Sequence, residues 1–422
     1  MKLIANAALP TASAACKRVN VLFDEQIVKI TTDTIVSEDI AEVIDLGGKM
    51  LLPGGVDAHS HIIAEGDPAK TLARITRAAL SGGWTTLAEL SYFNPQPIFA
   101  REDLRRLAAL IKAHSHVDMA VWGNVNIGDY PYHAEAALEL WNRGTVGLAL
   151  THPSPNPAIT ALSFTEIMDL FLDIYESDTA FAFQGWVPEP GAAFSFTAQS
   201  DAIKKLLRRM QENPIHIPRV ASFATIEFIN SISKRSDISF SLCLADLMQL
   251  YSGIPGGLRA DLAGQQDLLF ELLRTNKIYM LSNNVESPTA PANRSEAFRG
   301  VSEACLAGSY LWALSELWAK RKVPLATVIK MTSENAAKRL GLYPTKGCLE
   351  AGSDADFLIF DPQRTTAYIA PDGSKHEFQG AIDSVFLRGK RVLHKGKAAP
   401  ATGAFVARSA TPKRRHNNTT WI

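Results

Sequence analysis

The sequence contains the stretch Leu52-Pro53-Gly54-Gly55-Val56-Asp57-Ala58-His59-Ser60-His61, in which two histidines follow an apolar run. Side chains two positions apart on a β-strand face the same side of the strand. At the carboxyl end of a barrel strand, that side is where active sites form. Two neutral imidazoles there make half of a zinc site, so we predict His59 and His61 as metal ligands. The alternative is a pair of solvated loop histidines.

Apolar runs recur at intervals of about 30 residues along the chain, with amphipathic stretches between them. Continuous apolar runs are typical of strands buried on both faces, as in parallel sheets. The eight runs are Met50–Val56, Trp84–Leu90, Val117–Asn124, Thr145–Leu150, Ala180–Gln184, Ile215–Ala221, Ile238–Cys243 and Ile278–Ser282. They predict an α/β fold, a (β/α)8 TIM-type barrel over residues 51–346. An open doubly wound sheet is the alternative, but no Gly-x-Gly-x-x-Gly motif follows the first run.

The two ends of the chain have a different pattern, with short β-prone runs and no long helical period. Residues 1–50 and 347–400 are therefore predicted to form one small β-sandwich domain. Residues 403–422, which include Lys413-Arg414-Arg415, are predicted to be a C-terminal tail, mobile or docking a partner.

Composition excludes several classes of partner. The 422 residues include 43 Lys and Arg against 43 Asp and Glu, so nothing electrostatic favours nucleic acid or an anionic membrane. We found no apolar stretch long enough to span a bilayer. The four cysteines lie far apart without a Cys-x-x-Cys motif, which fits a reducing compartment and predicts a cytoplasmic protein.

Further motifs follow in a fixed order along the chain. They are Ser81-Gly82-Gly83-Trp84-Thr85-Thr86, Gly257-Leu258-Arg259, the helix Ser333–Leu342 and the segment Gly347–Leu358. Together with the His-x-His stretch they resemble the amidohydrolase superfamily. Within it they are similar to the cyclic-amide branch of dihydroorotases, hydantoinases, dihydropyrimidinases and allantoinases. The resemblance implies a zinc-dependent barrel with a small β-sandwich, acting on a small cyclic amide and often forming homo-oligomers.

The sequence departs from this family at four positions of the metal site. The family pattern implies a bridging lysine on the fourth strand, histidines on the fifth and sixth strands and an aspartate on the eighth. Ala149, Gln184, Arg219 and Asn283 stand at those positions here. The amide of Asn283 is neutral and cannot take a proton from water, so its catalytic role is doubtful. Ile63 replaces an arginine that pairs with the substrate carboxylate in many dihydroorotases.

Other side chains could rebuild a site at the barrel mouth, meaning the carboxyl ends of the barrel strands. His152, Glu89, Glu286 and Glu303 are candidate replacement ligands, although each is better explained as a loop or rim residue. Arg219 adds positive charge, which favours an anionic ligand or a salt bridge to Asp57 or Glu89. Arg219, Asn284, Trp186 and Tyr92 are the predicted substrate-binding residues.

Three hypotheses follow. The first is a dihydroorotase-like hydrolase that cleaves a cyclic-amide C–N bond through a reduced metal site, with one zinc or none per chain. The second is an inactive relative that scaffolds a protein such as a carbamoyltransferase. The third is a protein that binds an anion or a heterocycle at the barrel mouth.

Overall fold

The computed structural model of the protein describes residues 1–11, 16–36, 38–63, 66–91, 97–125, 128, 133–154, 156, 160–174, 177–186, 195–208, 213–233, 237–249, 256–287 and 300–409. For residues 256–260 it describes the backbone alone.

The N-terminal part of the chain forms strands β1 (Lys2–Pro10), β2 (Cys16–Phe23), β3 (Ile27–Thr31), β4 (Glu42–Asp45) and β5 (Met50–Pro53). β1 pairs antiparallel with β2 and parallel with β4 and β5. The first predicted barrel run is therefore divided: Met50–Pro53 belongs to this sheet, and the barrel begins at Gly55. The run divides between two glycines. The N–H of Gly54 donates to the carbonyl of Asp356, and the N–H of Gly55 donates to the carbonyl of Gly83.

Parallel strands at eight positions form the barrel. They are β6 (Gly55–Ser60), β7 (Trp84–Glu89), β8 (Asp118–Val121) continued by β9 (Gly123–Asn124), β10 (Leu148–His152), β11 (Phe181–Gly185), β12 (Ile215–Ile217), β13 (Ile238–Cys243) and β14 (Met280–Ser282). The last strand meets the first because the N–H of His61 donates to the carbonyl of Val285 at 2.7 Å. The predicted barrel is confirmed, although the sixth strand is shorter than the run Ile215–Ala221.

Helices alternate with the strands and pack around the barrel. They are α1 (Pro68–Ser81), α2 (Arg101–His114), α3 (His133–Asn142), α4 (Phe164–Asp173), α5 (Phe196–Leu207), α6 (Phe223–Ile232), α7 (Leu244–Met248), α8 (Gly256–Arg274), α9 (Glu303–Trp312), α10 (Leu325–Ile329) and α11 (Asn335–Arg339). Two π-helical segments, Ala313–Lys320 and Lys330–Glu334, join the last three. Polar residues fix several helix starts; Ser163, for example, caps α4 and pairs with Glu166 in a capping box.

The chain then returns to the first sheet through β15 (Phe357–Ile369), β16 (Lys375–Leu387), β17 (Lys390–His394) and β18 (Lys397–Ala398). The strand order is β18-β17-β16-β15-β5-β1-β2-β3, with β4 on β1. β15 pairs antiparallel with β5, which brings Leu358 opposite Leu52. The two ends of the chain therefore contribute adjacent strands to one sheet.

A buried ionic cluster links this sheet to the barrel. The ammonium of Lys346 lies 2.6 Å from Asp118 on β8, 2.6 Å from Asp356 and 2.8 Å from Asp354. Arg388 also pairs with Asp118. These three carboxylates lie close enough together to suggest a metal site. Because Lys346 contacts all three of them, we interpret the cluster as a structural ion-pair network.

Part of the predicted C-terminal tail lies against the barrel. The N–H of Met119 donates to Ala404 at 2.8 Å, and the N–H of Val406 donates back to Met119 at 2.8 Å. The guanidinium of Arg408 lies 3.4 Å from the centre of the Trp141 ring. Residues 410–422, including Lys413-Arg414-Arg415, lie outside the described residues. Over the described part of the chain, none of the helices is long and apolar enough to cross a membrane.

Candidate functional site

His61 follows β6 at the barrel mouth and is buried. Its Nδ1 lies 2.8 Å from the carbonyl oxygen of Leu90. A carbonyl oxygen only accepts hydrogen bonds, so Nδ1 carries a proton, and in the neutral ring Nε2 then keeps the lone pair. His61 therefore presents a basic nitrogen of the kind that metals and protons bind.

His59 is held differently. Its Nε2 lies 2.6 Å from Oδ1 of Asn284, and its Nδ1 has no hydrogen-bond partner among the described residues. Burial lowers the pKa of His59 well below its usual value, and the charges of His61, His216 and Arg219 lower it further. The ring is thus neutral at physiological pH, with Nε2 donating to the amide oxygen of Asn284.

The two asparagines after β14 have separate surroundings. Asn284 has a left-handed backbone, with φ of 52°, and its amide faces His59. The side-chain oxygen of Asn283 instead accepts a hydrogen bond from Ser309 of α9 at 2.5 Å. The two side chains thus have different partners although they are adjacent in sequence. The structure places Asn284, rather than Asn283, against His59, and the catalytic role of Asn283 stays a prediction.

Arg219 forms an ion pair that the sequence did not predict. Its Nε lies 3.2 Å from Oδ2 of Asp246, and its Nη2 lies 3.0 Å from Oδ1 of the same carboxylate. Asp246 lies on α7, directly after the seventh barrel strand. We had expected Asp57 or Glu89 as the partner of Arg219. Among the described residues, both of these carboxylates accept hydrogen bonds from main-chain N–H groups instead.

Those main-chain contacts explain why Asp57 and Glu89, the predicted partners of Arg219, do not pair with it. Asp57 accepts a hydrogen bond from the N–H of Asn283 at 2.8 Å. Glu89 accepts from the N–H groups of Ile62 and Ile63, at 2.9 and 3.1 Å. Burial raises the pKa of Asp57 and the pKa of Glu89 to about 7 in each case, against the opposing effect of these bonds. Glu89 therefore fixes the segment that follows the two histidines.

The fourth and fifth strands present Ala149 and Gln184 at the positions where the family resemblance implies ligands. Both side chains are buried, and Ala149 is paired with Ala182 of β11. An alanine methyl group cannot coordinate a metal or be carboxylated. The structure thus offers no bridging ligand on the fourth strand.

Trp122, between β8 and β9, lies in the barrel interior and is completely buried. Its indole N–H donates to the carbonyl of Ala58 at 2.9 Å, and its ring lies parallel to that of His216, with centroids 6.4 Å apart. A Cβ added to Gly147 would lie 2.3 Å from the indole ring. The indole thus contacts β6, β12 and the residue that precedes β10 inside the barrel.

The candidate replacement ligands are engaged elsewhere. Nδ1 of His152 lies 3.0 Å from the carbonyl of Leu162, and its ring contacts Phe164. Glu286 accepts from the N–H of Gly300 at 2.6 Å, and Glu303 pairs with Arg74. None of these contacts directs a ligand atom to the two histidines.

Two of the predicted substrate-binding residues remain. Trp186 follows β11 and is buried, and its main-chain N–H donates to the carbonyl of His152 at 2.8 Å. Tyr92 lies outside the described residues. Asn284 thus contacts His59, and the charge of Arg219 reaches the same ring.

The described residues do not fit the metal centre that the family resemblance implies. No group of three His, Cys, Asp or Glu ligand atoms within this part of the chain includes His59 or His61. His59 uses Nε2 to bind Asn284, and Arg219 brings a positive charge that opposes a divalent cation. Stable protein zinc sites generally have three or four protein ligands.

Sequence reasoning missed Asp246 and Trp122. An acidic residue in the first turn after a buried strand was a usable signal for Asp246, since that turn lies at the barrel mouth. Trp122 falls in an apolar run, where only the alternation of side chains distinguishes an inward from an outward residue. His216 lies on β12, three residues before Arg219. It binds Ser239 through Nδ1 at 3.0 Å.

Comparison with known proteins gives two family matches. The amidohydrolase family model matches residues 296–392, and the dihydro-orotase-like model matches residues 48–148. An allantoinase of Streptomyces avermitilis is 26% identical over 415 residues, covering 87% of this chain and 90% of that protein. A dihydroorotase of Geobacillus thermodenitrificans is 38% identical over 88 residues, 21% of this chain and 20% of that protein.

A solved structure supports the fold. The L-hydantoinase (dihydropyrimidinase) of Arthrobacter aurescens superposes with a TM-score of 0.81 at 22% identity, covering 96% of this chain and 99% of that one. The predicted fold class, a TIM-type barrel with a small β-sandwich domain, is confirmed.

Proposed function

We propose that this chain, which belongs to the amidohydrolase superfamily and to its cyclic-amide branch, binds a small cyclic amide at the barrel mouth without metal-dependent hydrolysis. The observation that carries the proposal is the Arg219–Asp246 ion pair after the sixth strand, where the resemblance implies a metal-ligating histidine. Its charge reaches His59 and lowers the pKa of that ring.

The cyclic-amide part of the proposal is supported by the relatives and by the groups present. The matched relatives are an allantoinase, a dihydroorotase and a hydantoinase by name. A ring amide offers one N–H donor and one C=O acceptor on its edge. His59, Asn284 and Arg219 supply imidazole, amide and guanidinium groups that complement such an edge.

The absence of hydrolysis is supported by the replacement of the aspartate that the family pattern implies on the eighth strand by Asn283. Asn283 is neutral and bound to Ser309. Removing a general base typically lowers a rate by a factor of about a hundred or more.

The other two hypotheses are distinct outcomes of one experiment. A reduced zinc site on His59 and His61 predicts turnover that depends on zinc. A scaffold for a protein such as a carbamoyltransferase predicts no affinity for small rings. Oligomerisation and a cytoplasmic location stay predictions; the four cysteines are free thiols, which is in keeping with a reducing compartment.

The test is calorimetric titration of the full chain with hydantoin, 5,6-dihydrouracil, allantoin and L-dihydroorotate, with and without added zinc. Ring opening is followed in parallel by liquid chromatography. We expect at least one ring to bind and to raise the melting temperature, without ring opening under either condition. Zinc-dependent ring opening, or no binding of any of the four rings, would contradict the proposal.

The variant Asn284→Ala removes the amide beside His59 and should weaken binding. Asn230→Ala, on α6, is the matched control, since its side-chain amide donates to the carbonyl of Lys277. Equal affinities of the two variants would place the ligand elsewhere in the molecule.

A further inference from the structure

We propose that the barrel carries a second binding site, for the phosphate ester of a small hydroxylated molecule, at the end opposite the mouth. The site is a cavity of about 540 Å³ between the ends of α1 and α2 and the segment that follows β17. Its volume lies within the range of about 300–1,000 Å³ that is typical of small-molecule sites. This inference does not rest on the function proposed for the barrel mouth.

The position of the cavity follows from the order of the elements. α1 ends at Ser81, just before β7, and α2 ends at His114, just before β8. Both helix ends therefore lie beside the amino ends of the barrel strands, whereas His59 and Asn284 lie at the carboxyl ends. The two sites are thus separate.

The surroundings of the cavity are rich in cations. Arg77 of α1 lines it, and none of the described residues that line it is acidic. Arg77 is exposed and has no ion-pair partner in the described part of the chain. Lys112 precedes a lining residue of α2, and Lys395 and Lys397 flank the lining residue Gly396; all three lysines are exposed. The summed field of these cations attracts an anion to the cavity.

His116 contributes a buried polar atom to the same cavity. The residue is 5% exposed, and its Nδ1 has no hydrogen-bond partner among the described residues. Burial and the charge of Arg77 lower the pKa of His116, and a hydrogen bond to the backbone of Ala399 opposes this shift. The ring donates in that bond, because only a donated bond favours the protonated form. Nδ1 therefore keeps its lone pair in the neutral ring and can accept from a hydroxyl group.

These groups together select the ligand. A phosphate monoester carries a charge of about −1.5 to −2 at neutral pH and offers three strong acceptor oxygens. The planar guanidinium of Arg77 matches two of these oxygens. A hydroxyl group of the same molecule supplies the donor that Nδ1 of His116 lacks. No bond is made or broken on binding.

The two helix ends oppose an anion to a small extent. The carboxyl end of a helix carries a partial negative charge, which acts over about one turn. At α1 this charge is reduced, because the N–H of Gly82 donates to the carbonyl of Ala78 at 3.0 Å. The N–H of Gly83 likewise donates to the carbonyl of Leu80 at 3.1 Å. We therefore expect modest affinity, with a dissociation constant of about 1 mM.

The test is titration calorimetry of the full chain with ribose 5-phosphate, inorganic phosphate and ribose in a chloride buffer. We expect ribose 5-phosphate to bind about threefold or more tighter than inorganic phosphate, and ribose not to bind measurably. Raising the salt concentration should weaken both phosphates. No binding of ribose 5-phosphate at about ten times the expected dissociation constant would overturn the site. Equal affinity for inorganic phosphate would overturn the choice of ligand.

The variant Arg77→Gln should weaken the binding of ribose 5-phosphate by about tenfold or more. Arg208→Gln is the matched control, because Arg208 is an exposed arginine at the end of α5, on the same side of the barrel. It should retain the wild-type affinity, and so should Asn284→Ala at the barrel mouth. The melting temperature of each variant verifies that it folds.

Three results with folded variants would overturn the inference. The first is an unchanged affinity in Arg77→Gln. The second is an equal loss in Arg77→Gln and Arg208→Gln, which would show a diffuse attraction to the whole face. The third is a loss in Asn284→Ala, which would place the phosphate at the barrel mouth.

Discussion

Arg219 and Asp246 form a two-point ion pair at the mouth of the barrel, with Nε at 3.2 Å from Oδ2 and Nη2 at 3.0 Å from Oδ1. The geometry orients a guanidinium where its charge reaches His59. A cation fixed in this way opposes a divalent metal and favours an anion. The account of the site therefore depends on this pair.

Asp246→Asn keeps the size of the side chain and removes its charge. Because Asp246 is buried and Arg219 partly exposed, we expect a loss of up to about 3 kcal/mol in the free energy of unfolding. Glu271→Gln breaks an exposed pair with Arg274 and should change stability by about 0.5 kcal/mol or less. Denaturant titration measures both; equal losses would show that the buried pair is not a stabilising unit.

Lys346→Met should destabilise the junction of barrel and sheet. It leaves Asp118, Asp354 and Asp356 without their shared cation, at an expected cost of about 3–5 kcal/mol. Lys338→Met, which breaks a partly exposed helical pair with Glu334, is the control. A loss at neutral pH no greater than the control's would contradict the cluster's role.

Glu89 should make stability depend on pH. Its pKa is raised by burial from 4.5 to about 7 in the folded protein. Between these values the folded chain holds a proton that the unfolded chain has lost, so this group's contribution falls as pH rises from about 4.5 to 7. Glu89→Gln removes that titration and should flatten the melting temperature over this range. An unchanged slope would show that Glu89 is ionised in the folded protein.

Trp122→Phe tests the contacts of the buried indole in the barrel interior. The variant leaves the buried carbonyl of Ala58 without the indole N–H, which should cost about 1–3 kcal/mol, with a further loss from the space left empty. Trp318→Phe is the control on a half-buried π-helical segment outside the barrel, where the ring packs on Phe360. Thermal unfolding compares the two, and an equal or larger loss in the control would argue against the cross-barrel contact.

Much of the fold could be predicted because buried parallel strands leave continuous apolar runs. The exception is the change of sheet at Gly54. Met50–Pro53 and Val56 have the same apolar character, so composition alone could not show that the chain passes from one sheet to another between them. That change is set by hydrogen bonds to Asp356 and Gly83, which are distant in sequence.

The site was less predictable, because its contacts join residues from different strands. The spacing of His59 and His61 showed that they share a side. It could not show that Asn284, whose backbone is left-handed, would contact His59 instead of Asn283. The predicted partner of Arg219 was wrong for a related reason. Asp57 and Glu89 accept hydrogen bonds from main-chain N–H groups.

The most direct test of the account is the metal content of the full chain, purified without a His tag and measured by plasma mass spectrometry after zinc incubation and dialysis. Since the described ligands do not form a three-residue site with His59 and His61, we predict well below one zinc per chain. The variant His59→Ala, His61→Ala should give the same value. One tightly held zinc per chain, lost in that variant, would contradict the account and restore a metal-dependent hydrolase.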